Sequence, residues 1–263
     1  MKKWWGVSII VVVVIFIGGA VGMTLFNRSS RSQTSQRTAS RTASYSVKST
    51  KDEIDGQSIT AYQLGKSDRV WQNGYGTTSD GNDTNRQNKP TRKLTKDAKQ
   101  LIIYFSRSGS TELLASKIAK ASHADLLEIV VKAPYSGNYR KTLSRANSER
   151  EAENYPELDM QVPDLSQYQT VYLGYPIWAM TLAHPMTEFL TTYGSRLTGK
   201  QIAPFMTEGG YGQGDSVDRI KSILKSQGAR DNQYTKSLVV DGNKVDQADS
   251  RVTSWVKRIV ESQ

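Results

Sequence analysis

Cysteine is absent from this 263-residue chain, and histidine occurs only twice, at His123 and His184. Without cysteine no lipid-modified N-terminus is available, and cysteine usage says nothing about the redox compartment. Neither histidine has partners at metal-ligand spacing, so no metal site is expected. No Ser/His/Asp arrangement is signalled. The full Gly-x-x-x-x-Gly-Lys-Ser/Thr spacing is missing, as is Gly-x-Gly-x-x-Gly, which makes ATP, GTP and NAD poor first expectations. Acidity is missing too: the formal net charge is +10. Residues 1–97 carry 15 Lys and Arg against 7 Asp and Glu, whereas residues 98–263 carry 20 against 18. The basic excess therefore belongs to the N-terminal arm. A nucleic-acid-binding domain would put its positive patch on the folded part, so the arm reads as a basic tether able to touch anionic lipid.

One long apolar run is present. Trp4 to Phe26 holds no charged residue and centres on Ile9 to Ile17. At about 1.5 Å per residue it is long enough to span a bilayer, with Trp4 and Trp5 at the interface. Ala20-Val21-Gly22 would suit a signal-peptide cleavage site, but such peptides have shorter apolar cores, and an uncleaved anchor over 1–27 is favoured. Lysines on one side and arginines on the other leave the orientation open. The Lys-Lys start resembles a signal-anchor and favours an extracytoplasmic domain, with a cytoplasmic one as the alternative. Residues 28–97, rich in Ser, Thr, Arg, Gln and Asn, are expected to be a largely disordered linker. Strand-like pieces at 58–62 and 69–71 leave room for a short hairpin.

From residue 98 the pattern alternates. Strands are expected over 99–105, 125–131, 170–174, 201–206 and 237–240, and helices over 111–121, 139–154, 182–193, 213–226 and 246–261. Five strands alternating with helices predict an α/β doubly wound parallel sheet covered on both faces. Ligands of such sheets sit at the carboxyl ends of the strands, at the switch point.

Three loops at those ends stand out. After the first strand comes Tyr104-Phe105-Ser106-Arg107-Ser108-Gly109-Ser110-Thr111. Small hydroxyl residues and one Gly, opening a helix, converge backbone N–H groups and hydroxyls on one point with the helix dipole behind them. An ordinary helix cap needs fewer hydroxyls. The loop therefore reads as a cradle for a phosphate monoester, with FMN the best candidate. After the third strand, Gly174 to Pro185 presents Tyr175, Pro176 and Trp178, which could stack on a planar ring. The third loop, Thr207-Glu208-Gly209-Gly210-Tyr211-Gly212, allows close backbone approach to a flat ligand and N–H donation to its polar edge.

Together with Ala133 to Tyr139 and Trp255, these pieces resemble flavodoxins and flavin-dependent quinone reductases over about residues 99 to 261. The resemblance implies a flavodoxin-like fold in which Ser106, Arg107, Ser108, Gly109, Ser110 and Thr111 bind the FMN phosphate. Pro176, Ile177 and Trp178 would line one side of the isoalloxazine, and Thr207, Gly209, Gly210 and Gly212 the other edge. Five residues depart from the pattern: Ala179, Met180, Ala183, Glu208 and Tyr211. Flavodoxins carry in the second loop a glycine whose peptide flips to meet the reduced ring; Ala179 and Met180 make that flip more costly, predicting weaker stabilisation of the one-electron-reduced flavin. His184 reads as a surface residue rather than a substrate contact, and the flavin itself would carry the chemistry.

The expected activity is membrane-tethered electron transfer, with a redox partner protein or a quinone at the membrane surface. An FMN-dependent NAD(P)H:quinone or small-molecule oxidoreductase is the first alternative. A cofactor-free surface binding module is the second.

Overall fold

Period-two burial on both faces is what makes these segments parallel strands rather than half-exposed ones. In β4 (Gln100–Tyr104) Leu101 and Ile103 enter one core while Ile102 and Tyr104 enter the other. All four are inaccessible to solvent. The computed structural model describes residues 49–68 and 89–262. Trp4 to Phe26 and the strand-like piece at 69–71 lie outside them. Among the described residues no helix is long and apolar enough to cross a membrane.

The elements ahead of β4 are β1 (Ser49–Ile54), β2 (Gln57–Thr60) and β3 (Arg92–Lys93). Following it are α1 (Ser110–Ser122), β5 (Asp125–Glu128), α2 (Tyr139–Glu151), β6 (Thr170–Trp178), β7 (Thr181–Leu182) and α3 (His184–Tyr193). The chain ends with β8 (Gln201–Glu208), α4 (Ser216–Ser226), β9 (Gln233–Tyr234), β10 (Leu238–Asp241) and α5 (Asp249–Val260). The main sheet runs β10-β8-β6-β4-β5-β3. Its five long strands pair in parallel; β3 joins antiparallel at one edge, and the short β7 pairs antiparallel with β6. Strand order reverses at β4, which pairs with β5 on one side and β6 on the other, so the carboxyl ends of β4 and β6 border the switch-point crevice. The α/β doubly wound sheet is as expected. The helices run one to three residues shorter than the periodicity suggests at several ends, and Leu182 belongs to a hairpin rather than to α3.

One core lies against α1 and α5, centred on Ile102, Tyr172, Leu114 and Trp255. Trp255 Nε1 donates to the Lys236 carbonyl at 2.7 Å, which satisfies the one polar atom of a large buried ring. The other core packs α3 and α4 on the opposite face through Val171, Leu173, Phe189, Leu190, Ile220 and Leu224.

The expected linker over 28–97 needs revision at residues 49–68 and 89–93. β1 and β2 form an antiparallel hairpin turned by Asp55 and Gly56, whose φ values of 48° and 75° suit a two-residue turn. Ile54, Ile59, Ala61 and Leu64 are buried in the core that contains α1. Burying four apolar side chains is favourable enough to hold a short hairpin that would be marginal alone. Lys120 Nζ reinforces it with a 2.8 Å ion pair to Asp52.

Candidate functional site

The loop between β4 and α1 is shaped by one residue. Gly109 stands at φ 88°, a region that side-chain-bearing residues rarely adopt. A Cβ there would also run into the Thr60 carbonyl. Its N–H donates to Ser106 Oγ at 3.1 Å, and the first helical bond is made by Leu113 N–H to the Gly109 carbonyl at 2.9 Å. The N–H groups of Ser110, Thr111 and Glu112 precede that bond and stand at the positive end of the helix dipole. Thr111 Oγ1 and Thr207 Oγ1 share a 2.8 Å hydrogen bond that ties the first loop to the third. Ser110 Oγ donates instead to the Gly242 carbonyl at 2.9 Å, so this hydroxyl serves the chain.

A cavity of about 450 Å³ opens here. Eleven of the thirteen residues expected at the site line it: Ser106, Arg107, Ser108, Ser110 and Thr111; Pro176, Ile177 and Trp178; Thr207, Gly209 and Gly212. Gly109 and Gly210 do not. The first lies beneath Thr60, and the second turns its N–H to a side chain.

That side chain is Glu208, and it corrects the expectation for the third loop. Glu208 Oε2 accepts from the N–H groups of Gly210 at 2.6 Å, Tyr211 at 2.6 Å and Gly212 at 2.8 Å. The amides expected to meet the polar edge of a ligand converge on the chain's own carboxylate, forming an anion nest from within. Burial, together with the neighbouring Asp241, raises the Glu208 carboxyl above its ordinary range against the pull of these three donors.

Trp178 is fixed by edge-on aromatic contacts. Its ring lies 5.8 Å from Phe105, 4.9 Å from Tyr135 and 5.8 Å from His184, at interplanar angles of 89°, 83° and 77°. The hairpin from β6 to β7 turns through Ala179 and Met180, at φ 47° and 65°. Both residues thus already hold the backbone region expected to be costly for them.

His184 is not a surface residue. It is 3% exposed, and its Nδ1 lies 2.8 Å from Glu149 Oε2. Glu149 also accepts from Tyr135 OH and Arg145 Nε, each at 2.6 Å. Burial opposes the charge on Glu149, yet these donors hold its carboxyl below the ordinary range. His184 lines the cavity beside the inner face of α2, where Tyr139, Leu143, Asn147 and Arg150 recur at helical spacing. Gln63, delivered from the upstream hairpin, lines the cavity as well and was not foreseen.

The chain matches the flavodoxin family over residues 99–259, and it belongs to that family. No curated protein matches it. Among solved structures it is similar to a protein named a flavoprotein from Bacteroides uniformis ATCC 8492, with 24% identity and a TM-score of 0.51, covering 62% of this chain and 99% of that one. A flavoprotein in complex with FMN from Lactobacillus acidophilus NCFM has 23% identity and a TM-score of 0.46, over 57% and 97% of the two chains. The two-electron-reduced flavodoxin of Megasphaera elsdenii has 20% identity and a TM-score of 0.38, over 60% and 96%. FMN is the cofactor this family membership supports. The residues fit it: the N–H groups of residues 110–112 open a helix beside the cavity, Ser108 and Thr111 stand in its wall, and Trp178 lines it from the next loop.

Proposed function

We propose that this chain is a membrane-tethered FMN protein that transfers electrons. What carries the reading is the convergence of the 106–111 loop and Trp178 on one cavity at the switch point of a flavodoxin-family sheet. The N–H groups opening α1, with the hydroxyls of Ser106, Ser108 and Thr111, would hold the phosphate. Pro176, Ile177 and Trp178 would flank the ring on one side. Thr207, Gly209 and Gly212 would meet its other edge, in a loop fastened by Glu208. When bound, FMN supplies the electron-transfer chemistry. The chain's part is to orient the ring and to keep water from one of its faces.

The tether is read from the apolar run Trp4 to Phe26, and it confines the domain to partners at a membrane surface: a redox protein or a quinone. The signal-anchor-like start favours an extracytoplasmic position for the domain, with a cytoplasmic one as the alternative. A second reading, FMN-dependent reduction of a quinone or small molecule by NAD(P)H, draws on the cavity's extension along α2 to Asn147, Arg150 and the buried His184–Glu149 pair. That extension gives a second molecule somewhere to lie.

Two measurements on the purified full chain test this. Added FMN should give a bound yellow flavin spectrum that Thr111→Ala weakens; a colourless protein that leaves FMN fluorescence unquenched would overturn the reading. Steady NADPH oxidation in the presence of a quinone would favour the enzyme over the carrier.

A further inference from the structure

We infer that the α2 end of the cavity takes a small quinone and that His184 binds its carbonyl oxygen, with Glu149 as the positioning residue. The inference deepens the second reading above and rests on it.

His184 opens α3, is 3% exposed, and forms part of the cavity wall. Trp178 lies edge-on to its ring at 5.8 Å, and Tyr155 is tilted against it at 5.2 Å. Its Nδ1 meets Glu149 Oε2 at 2.8 Å. Against burial, His184, Tyr135 and Arg145 hold the Glu149 carboxyl below its ordinary range, so it is ionised and only accepts. Nδ1 is therefore the donor of this pair, which fixes the ring and leaves Nε2 for the cavity. Among the described residues no hydrogen bond reaches Nε2. A buried polar atom without a partner is costly, so a ligand atom that meets it gains accordingly.

Depth decides the size of the partner. A docking protein covers the rim of a cavity, whereas a ring nitrogen this far from solvent is met only by a molecule that enters. The walls decide its character. Leu143, Met180 and Tyr211 are three of the four large apolar side chains exposed among the described residues, and all three line this cavity. A flat apolar ring would cover them, and a carbonyl at its edge would take the hydrogen bond of Nε2–H. A carbonyl oxygen has no proton to give, so it selects the imidazolium, whose charge Glu149 balances. The other charges about the ring are Arg145 behind Glu149 and Arg219 of α4, which donates to the Tyr155 hydroxyl at 2.7 Å. Arg107, Arg150 and Glu208 stand further along the cavity wall.

The probe is duroquinone, a benzoquinone methylated at every ring position so that side chains do not add to it. It is titrated into the full chain with oxidised FMN, which does not reduce it. His123 is the only other histidine, and it occupies an exposed left-handed helix C-cap that asparagine suits. His123→Asn therefore leaves a single imidazole signal in the NMR spectrum. That signal should move saturably with duroquinone, and calorimetry should show affinity falling as pH rises through the signal's own titration. His184→Leu should weaken binding about tenfold, as for a lost hydrogen bond to a charged group, and abolish the pH dependence. His184→Gln keeps a donor and should bind without that pH dependence. Glu149→Gln should move the profile to lower pH, because the carboxylate that favours the imidazolium is gone. Thermal melting establishes that each variant is folded, and the signal of the native His184 stands as a test without them. A signal that moves with FMN but not with duroquinone would put His184 in the flavin site instead. Unchanged affinity in His184→Leu would remove it from the quinone site. If the chain leaves FMN fluorescence unquenched, the FMN reading itself has failed; the titration of the flavin-free chain then still decides for His184.

Discussion

Two loops of this molecule, 106–111 and 207–212, stand at the ends of parallel strands of one sheet, one rich in hydroxyls and the other in glycine, and their amides have different fates. In the first, the N–H groups of residues 110–112 open a helix at the cavity, and the turn is set by Gly109 packed under Thr60. In the second, the N–H groups of residues 210–212 close on Glu208. Glycine and hydroxyl content tell how freely a loop can move; they do not tell which acceptor its donors have found. A single carboxylate separates a loop that offers an anion site from one that has filled its own.

The comparison can be broken most severely at Gly109. Gly109→Ala should cost about 3 kcal/mol or more, because a positive φ and a backbone collision act together. Chemical denaturation should show the loss, with FMN binding lost alongside; an unchanged midpoint would mean Thr60 is not seated against Gly109 as described.

Just behind the cradle, Glu112 gives the next effect. Burial, with Glu128 nearby, pushes its carboxyl up to about 8 from an ordinary 4.5. The folded state therefore holds a proton there that the unfolded chain has released. The group's favourable contribution is complete below about pH 4.5 and is lost as pH rises through about 8, on the order of a few kcal/mol. Glu112→Gln should flatten this part of the stability–pH curve. A curve with the same slope in the variant would place the titration elsewhere.

The second loop should respond more mildly. Glu208→Ala removes one acceptor for three N–H groups at a partly open site, at about 1–3 kcal/mol by thermal melting. Because those amides serve the loop and not the phosphate, the ratio of FMN to riboflavin affinity should keep its original value. A changed ratio would show that the two loops are not as separate as their hydrogen bonds suggest. The smallest effect belongs to the hairpin between them: Met180→Gly relieves a left-handed residue and should stabilise the protein by up to about 1 kcal/mol. A loss of stability would mean that the Met180 side chain contributes more than its backbone costs.

How much of this was legible in the sequence follows from the range of each interaction. The parallel strands were readable because burial on both faces writes continuous apolar runs such as Leu101-Ile102-Ile103. The cradle was readable because its donors are local, on consecutive residues. Asp55-Gly56 carried a hairpin signal, but composition around it argued for a linker; only packing against α1 ordered it, and packing is not written in a local window. Gln63 was hidden for the same reason, reaching its site across more than forty residues of chain. His184 looked like a surface residue until Glu149, on a helix that otherwise reads as solvated, supplied its partner. For Glu208, the residue type was noted as a departure, but its capture of three amides depends on a turn geometry that three glycines permit without specifying.

The most direct measurement of the central claim is the ratio of FMN to riboflavin affinity for the unaltered full chain. A phosphate held by the helix-opening amides, Ser108 and Thr111 predicts FMN binding at least about tenfold tighter than riboflavin, since hydrogen bonds to a charged group each contribute about 1.5–3 kcal/mol. Equal affinities, or binding of neither flavin, would contradict the assignment of the 106–111 loop as a phosphate site.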